Sequence, residues 1–175
     1  MAVRAGLRAL PNIISSSRVL LAAAFAASGD PNARLGLVGL AGLTDFLDGW
    51  IARRGQWTSR WGALIDPIAD RVFVLVAVLT FLVTGALSPI GCLVMISRDI
   101  MTAVGFIVAR IVPMLQAIPF KARFSGKLVT TLQLITFVAL LRMPEWVSSC
   151  LWIVGLASLY SIIDYTYALW KARAT

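Results

Sequence analysis

Six mostly apolar stretches run through this chain, at residues 12–29, 35–52, 62–84, 89–112, 126–141 and 146–170. A bilayer's hydrocarbon core takes about 17–25 such residues as a helix. Lipid offers the backbone no hydrogen bonds, so a chain of this kind is confined to helices or a closed barrel. The stretches are too long for barrel strands. The expected fold is therefore all-α, an integral membrane protein of six transmembrane helices forming one domain over residues 1–175. Gly29-Asp30-Pro31, Ser88-Pro89, Pro113, Pro119 and Met143-Pro144 mark the connections.

Composition agrees. Of the 175 residues 59% are hydrophobic and 14% are charged, where a soluble domain has about 45–50% and about 25%. No cleavable signal peptide is evident, because Arg18 interrupts the first apolar stretch and no small-residue cleavage site ends it. Val3, Leu7 and Leu10 share one helical face with Arg4 and Arg8 opposite, the pattern of a short N-terminal amphipathic surface helix.

The net charge is +8, from 16 Lys and Arg against 8 Asp and Glu. With six crossings, Arg4, Arg8, Arg53, Arg54, Arg60, Arg110, Lys121, Arg123, Lys171 and Arg173 fall on one side, with Lys127 just inside the membrane. Arg34 and Arg142 fall on the other. The bias makes the first side cytoplasmic. A bacterial cytoplasmic membrane is the expected location, since no long extension precedes Leu10 to serve as a transit peptide. Nucleic acid is not an expected partner, because the basic residues flank the membrane. Gly36, Gly39 and Gly42 recur every three residues and are expected to allow close helix packing. Cys92 and Cys150 sit in apolar runs and read as small apolar residues.

The chain has no histidine. That excludes imidazole acid–base catalysis, Ser-His triads and His-based zinc sites. Six of the 8 acids nevertheless lie in or beside the apolar stretches: Asp45, Asp48, Asp66, Asp70, Asp99 and Asp164. Intramembrane acids are costly and mark function. Asp45 and Asp48 share a face by their i,i+3 spacing, and Asp66 and Asp70 by i,i+4. The short link 53–61 makes their two helices antiparallel neighbours, so both pairs lie at similar depth. Four converging carboxylates need counter-charge. They can pair with arginines, hold protons as in a proton- or cation-coupled transporter, or bind divalent cations. As a purely oxygen donor set they suit two Mg or Mn ions.

The same segment reads Asp45-x2-Asp48-Gly49-x2-Ala52-Arg53-x8-Gly62-x3-Asp66-x3-Asp70. It resembles the full signature of the CDP-alcohol phosphotransferase (CDP-alcohol phosphatidyltransferase) family. Residues 10–18, LPNIISSSR, resemble that family's opening. The resemblance implies a metal-dependent phosphatidyltransferase of phospholipid biosynthesis, a homodimer with its active site facing the cytoplasm. Asp45, Asp48, Asp66 and Asp70 would hold two Mg or Mn ions, with Asp70 also the catalytic base. Gly49, Arg53 and Gly62 would bind the CDP moiety of CDP-diacylglycerol, and CMP would be released.

The acceptor is expected to be a glycerol-type alcohol. ISRDIM at 96–101 and SGKLVTTLQ at 125–133 resemble the glycerol-lipid branches of the family. LAGLTDFLDGWIAR at 40–53 and ISRD resemble the cardiolipin synthase branch, whose acceptor is phosphatidylglycerol; this is the leading expectation. The alternative is glycerol 3-phosphate, the acceptor in the phosphatidylglycerophosphate synthase branch. Arg110, Lys121, Arg123 and Lys127 are the candidate acceptor-binding residues, as a basic pocket for a phosphate would require. Arg98 and Asp99 have a simpler reading, as an ion pair inside the membrane.

Overall fold

The computed structural model describes residues 17–54, 62–111 and 124–173. Within them, the side chains of 48–54, 62–70, 106–111, 124–125, 168–169 and 171–173 lie outside the description. The candidate surface helix at the N-terminus also falls outside it. The described residues form six helices and no strand. These are α1 (Ser17–Ala27), α2 (Pro31–Arg54), α3 (Gly62–Val83), α4 (Pro89–Ile111), α5 (Phe124–Arg142) and α6 (Val147–Arg173). They match the six apolar stretches to within a few residues. Two compact units result, Met1–Thr84 and Gly85–Thr175.

Local chemistry sets the helix ends. Asp30 caps α2: its carboxylate accepts from the backbone N–H of Ala33 at 2.9 Å and of Asn32 at 3.3 Å. Pro31 then occupies the first helical position, where its missing N–H costs nothing. Ser88 does the same for α4, accepting from Gly91 N–H at 3.1 Å, with Pro89 following. After α3, Gly85 turns the chain at φ +74°, a left-handed conformation that a side chain disfavours. Between α5 and α6 a single 3-10 turn, Pro144–Trp146, breaks the helix.

In the first unit α1 lies against both α2 and α3. Phe25 of α1 is fully buried and meets Phe73 and Phe81 of α3 edge-to-face, at 5.7 and 5.5 Å between centroids. Ala77 and Val78 complete this core. Arg18, early in α1, pairs with Asp45, late in α2. Phe25, late in α1, lies under Arg34, early in α2. Those two contacts make α1 and α2 antiparallel. Arg34 also shares a cavity wall with Val76, Leu79 and Val83 near the end of α3, so α2 and α3 are antiparallel too. In the second unit α6 packs on α4 and α5 around Met95, Val129, Phe137 and Val154, all fully buried. Gly91 lets α4 approach α6 closely, since a Cβ there would meet Leu151 Cδ1 at 3.1 Å and Leu87 Cδ1 at 2.7 Å.

Large apolar side chains point outward on every described helix; Leu79, Leu93 and Trp152 are 52%, 62% and 73% exposed. Such surface is a liability in water and natural in lipid. One helical stretch, Pro144–Tyr167, is long and apolar enough to cross a bilayer, and little of it is buried. Ser17–Ala27 and Arg71–Val83 are shorter apolar helices. The expected six crossings are thus met as six helices, of which one passes as a span among the described residues. A second expectation is corrected. Gly36 and Gly39 are exposed, and a Cβ at either meets nothing within 4 Å, so neither serves close packing among the described residues. Cys92 and Cys150 are both free thiols.

Phe25→Ala removes the ring that α1 inserts between Phe73 and Phe81. We expect a loss of about 3–5 kcal/mol, read as a lower thermal-unfolding midpoint of the detergent-solubilised protein.

Candidate active site

The four signature aspartates come from two antiparallel helices. Asp45 and Asp48 lie in the last three turns of α2, and Asp66 and Asp70 in the first three turns of α3. The helix directions put the start of α3 toward the end of α2 that carries Asp45. Gly49 and Arg53 follow in α2, and Gly62 opens α3. Only Asp45 among these has a described side chain. The convergence of all four carboxylates therefore lies outside the described residues, and no cluster of three metal-ligating groups occurs among those described. Of the acceptor candidates, Lys127 is exposed in the first turn of α5. Arg110 lies in α4 with its side chain undescribed, and Lys121 and Arg123 fall outside the described residues.

Asp45 has a partner that spacing did not reveal. Arg18 Nη1 stands 3.7 Å from Asp45 Oδ1, with Arg18 2% exposed and Asp45 49% exposed. A guanidinium buried among apolar helices must be paired, and Asp45 supplies the charge. The carboxylate still keeps half its surface open and spare lone pairs, which a ligand can use. The donor set thus fits a hard divalent cation: oxygen ligands only, with one carboxylate held in place by a buried arginine. The available signal was a lone arginine within an apolar run. Its place at the end of LPNIISSSR does not name the partner.

The second unit holds a separate polar cluster. Arg98 Nη1 donates to Asp99 Oδ1 at 3.0 Å. Gln133 Nε2, reaching from α5, donates to Asp99 Oδ2 at 3.0 Å and to the Met95 carbonyl at 2.6 Å. All three side chains are buried. The Arg98 guanidinium lies against Gly126 of α5, where any Cβ would collide with Nη2 and stand 3.2 Å from Cζ. The hydroxyl of Tyr165 closes the same spot from α6, 3.4 Å from that Cβ position. The expected ion pair is therefore present, and it joins α4 to α5. Thr130 and Thr131, noted beside Gln133 in the sequence, donate to carbonyls of their own helix, at Gly126 and Lys127.

Comparison with known proteins now identifies the class. Residues 8–163 match the CDP-alcohol phosphatidyltransferase family, across both units, and the chain belongs to that enzyme family. It is 30% identical over 144 residues to the CDP-diacylglycerol–glycerol-3-phosphate 3-phosphatidyltransferase of Sodalis glossinidius, covering 74% of each chain. A protein of that name from Aquifex aeolicus is 35% identical over 101 residues, 55% of this chain and 57% of the relative. The cardiolipin synthase (CMP-forming) of Rattus norvegicus is 36% identical over 154 residues, 77% of this chain and 50% of the relative. The chain thus spans about half the length of that cardiolipin synthase.

Asp99→Leu strands Arg98 without its counter-charge, and we expect a loss of about 3–5 kcal/mol. Combining Arg98→Met with Asp99→Leu removes both charges and restores most of that stability. Denaturant unfolding of the two variants in one detergent measures the difference.

Proposed function

We propose that the chain transfers a phosphatidyl group from CDP-diacylglycerol to a glycerol-type alcohol and releases CMP. The observation that carries this reading is the eight-position signature from Asp45 to Asp70, set on two antiparallel helices of a chain that belongs to the family. In this reading Asp45, Asp48, Asp66 and Asp70 hold two Mg or Mn ions. When bound, the metals neutralise the diphosphate and stabilise the departing CMP. Arg53 contacts the diphosphate. Gly49 lets the nucleotide approach the backbone, and Gly62 leaves it room between α2 and α3. The acceptor oxygen forms a bond to the phosphatidyl phosphorus as the bond from that phosphorus to CMP oxygen breaks. Asp70 takes the hydroxyl proton, the role a weak nucleophile needs filled at neutral pH.

Glycerol 3-phosphate is the acceptor we favour. Relatives named for it outnumber those named cardiolipin synthase, which moves the reading away from the phosphatidylglycerol that the local motifs favoured. Phosphatidylglycerol stands as the second reading, supported by the 36% identity over 154 residues to a cardiolipin synthase. Arg110, Lys121, Arg123 and Lys127 are the cations proposed to receive the acceptor's phosphate. The reading places all six helices across a bacterial cytoplasmic membrane as a homodimer, with the aspartate end facing the cytoplasm. The outward apolar side chains of both units support the embedding.

Purified protein given CDP-diacylglycerol, Mg or Mn and each acceptor in turn is expected to release CMP, with glycerol 3-phosphate the better substrate. Release with phosphatidylglycerol alone would move the assignment to cardiolipin synthesis. No release with either would overturn the transferase reading. Asp70→Asn is expected to lower turnover by about 100-fold or more while the protein elutes unchanged in gel filtration. Chelation of divalent cations is expected to abolish release, and added Mg or Mn to restore it.

A further inference from the structure

Arg34 stands at the end of the first unit opposite Arg18 and Asp45. Its guanidinium lies over the ring of Phe25, 5.3 Å from the centroid, capping the aromatic core. Its Nε is buried and has no hydrogen-bond partner. No carboxylate pairs with it among the described residues. The nearest in sequence, Asp30, turns its oxygens to the backbone N–H groups of Asn32 and Ala33. Arg34 as a whole is part-buried, so the rest of its guanidinium stays open to an anion.

Arg34 also lines an open depression of about 370 Å³. The remaining wall is Ala26 of α1 with Val76, Leu79, Thr80, Val83 and Thr84. Val76–Thr84, the last residues of α3 and the one after it, span about two turns, or about 12 Å. Thr80 donates its hydroxyl to the Val76 carbonyl at 2.7 Å, and Thr84 donates to Thr80 at 2.9 Å. Both donors are spent within the helix, so Arg34 is the one cationic donor in the wall. A single cation beside an open apolar depression along a helix matches one chemistry, an anionic head on a hydrocarbon tail. The Lys and Arg distribution puts this end on the non-cytoplasmic side, at the depth of lipid headgroups.

We propose that Arg34 and the Val76–Thr84 groove bind one anionic phospholipid, its phosphate on the guanidinium and an acyl chain along α3. The site lies at the end of the unit away from the four aspartates. It rests on the membrane reading of the chain and is independent of which acceptor the enzyme uses. The bound lipid fills the groove beside Phe25 and gives Arg34 its counter-charge, joining α1, α2 and α3 at the end opposite the aspartates.

The test uses the full chain in zwitterionic detergent with a phosphatidylglycerol probe carrying a diazirine in its acyl chain, cross-linked sites being mapped by peptide mass spectrometry. Wild-type protein is expected to label within Val76–Thr84. Arg34→Gln is expected to reduce that labelling about tenfold, as loss of a charged hydrogen bond implies, while labelling elsewhere stays constant. Leu79→Trp, which fills the groove and keeps the cation, is expected to reduce it as well. That second variant keeps the test open if Arg34→Gln folds poorly. A phosphatidylcholine probe is expected to label the segment weakly. Equal labelling in wild type and Arg34→Gln would overturn the proposal, as would equal labelling by the two probes. Displacement of the probe by millimolar inorganic phosphate would also overturn it, by making the site one for free phosphate. CMP release with the preferred acceptor reads the catalytic end separately, so failure here leaves the transferase reading untouched.

Discussion

A charge among apolar helices is costly unless a partner meets it, and the buried ion pairs of both units answer that demand. In the first, Arg18 is carried inside by α1 and meets Asp45 on α2. In the second, Arg98 and Asp99 leave the apolar face of α4 together, and Gln133 crosses from α5 to satisfy the second carboxylate oxygen. Breaking one such partner in a low-dielectric interior costs several kcal/mol. These few contacts therefore define which helices are neighbours and in which direction they run. Apolar packing alone, such as Phe25 on Phe73 and Phe81, is less directional.

The same demand shapes the candidate active site. An aspartate pair on each of two antiparallel helices concentrates negative charge at one end of the unit. Arg18 offsets part of it while leaving Asp45 half open. An Asp45 carboxylate held by a buried arginine and still half open can accept a further ligand. The opposite end carries the converse, a lone arginine over an aromatic core with apolar walls beside it. Among the described side chains, the first unit carries the Arg18–Asp45 pair toward one end and Arg34 over Phe25 at the other.

Much of this was legible in the residues. The six apolar stretches located the six helices, since each is bounded by a capping or breaking residue: Asp30-Pro31, Ser88-Pro89, Met143-Pro144. The i,i+3 and i,i+4 aspartates follow from helical periodicity, and the ion pair at Arg98 and Asp99 from their adjacency. Other features were not legible. Gly36 and Gly39 have the spacing of a packing seam, yet they face outward, because spacing says which residues share a face and not what that face meets. Arg18 ends the LPNIISSSR segment, but its partner depends on α1 lying beside α2. Gln133 sat in a recognisable segment, but its partner is 34 positions away.

By itself the sequence determined the helical class, the element boundaries, the acidic signature and the family, all properties of local periodicity and residue type. Tertiary structure decided the pairings: Arg18 with Asp45, Gln133 with Asp99, Gly126 beneath Arg98, and Arg34 over Phe25. The reason is physical. Periodicity is written in neighbours three or four residues apart, whereas the partner of a buried charge is chosen by which helices come together and at what depth.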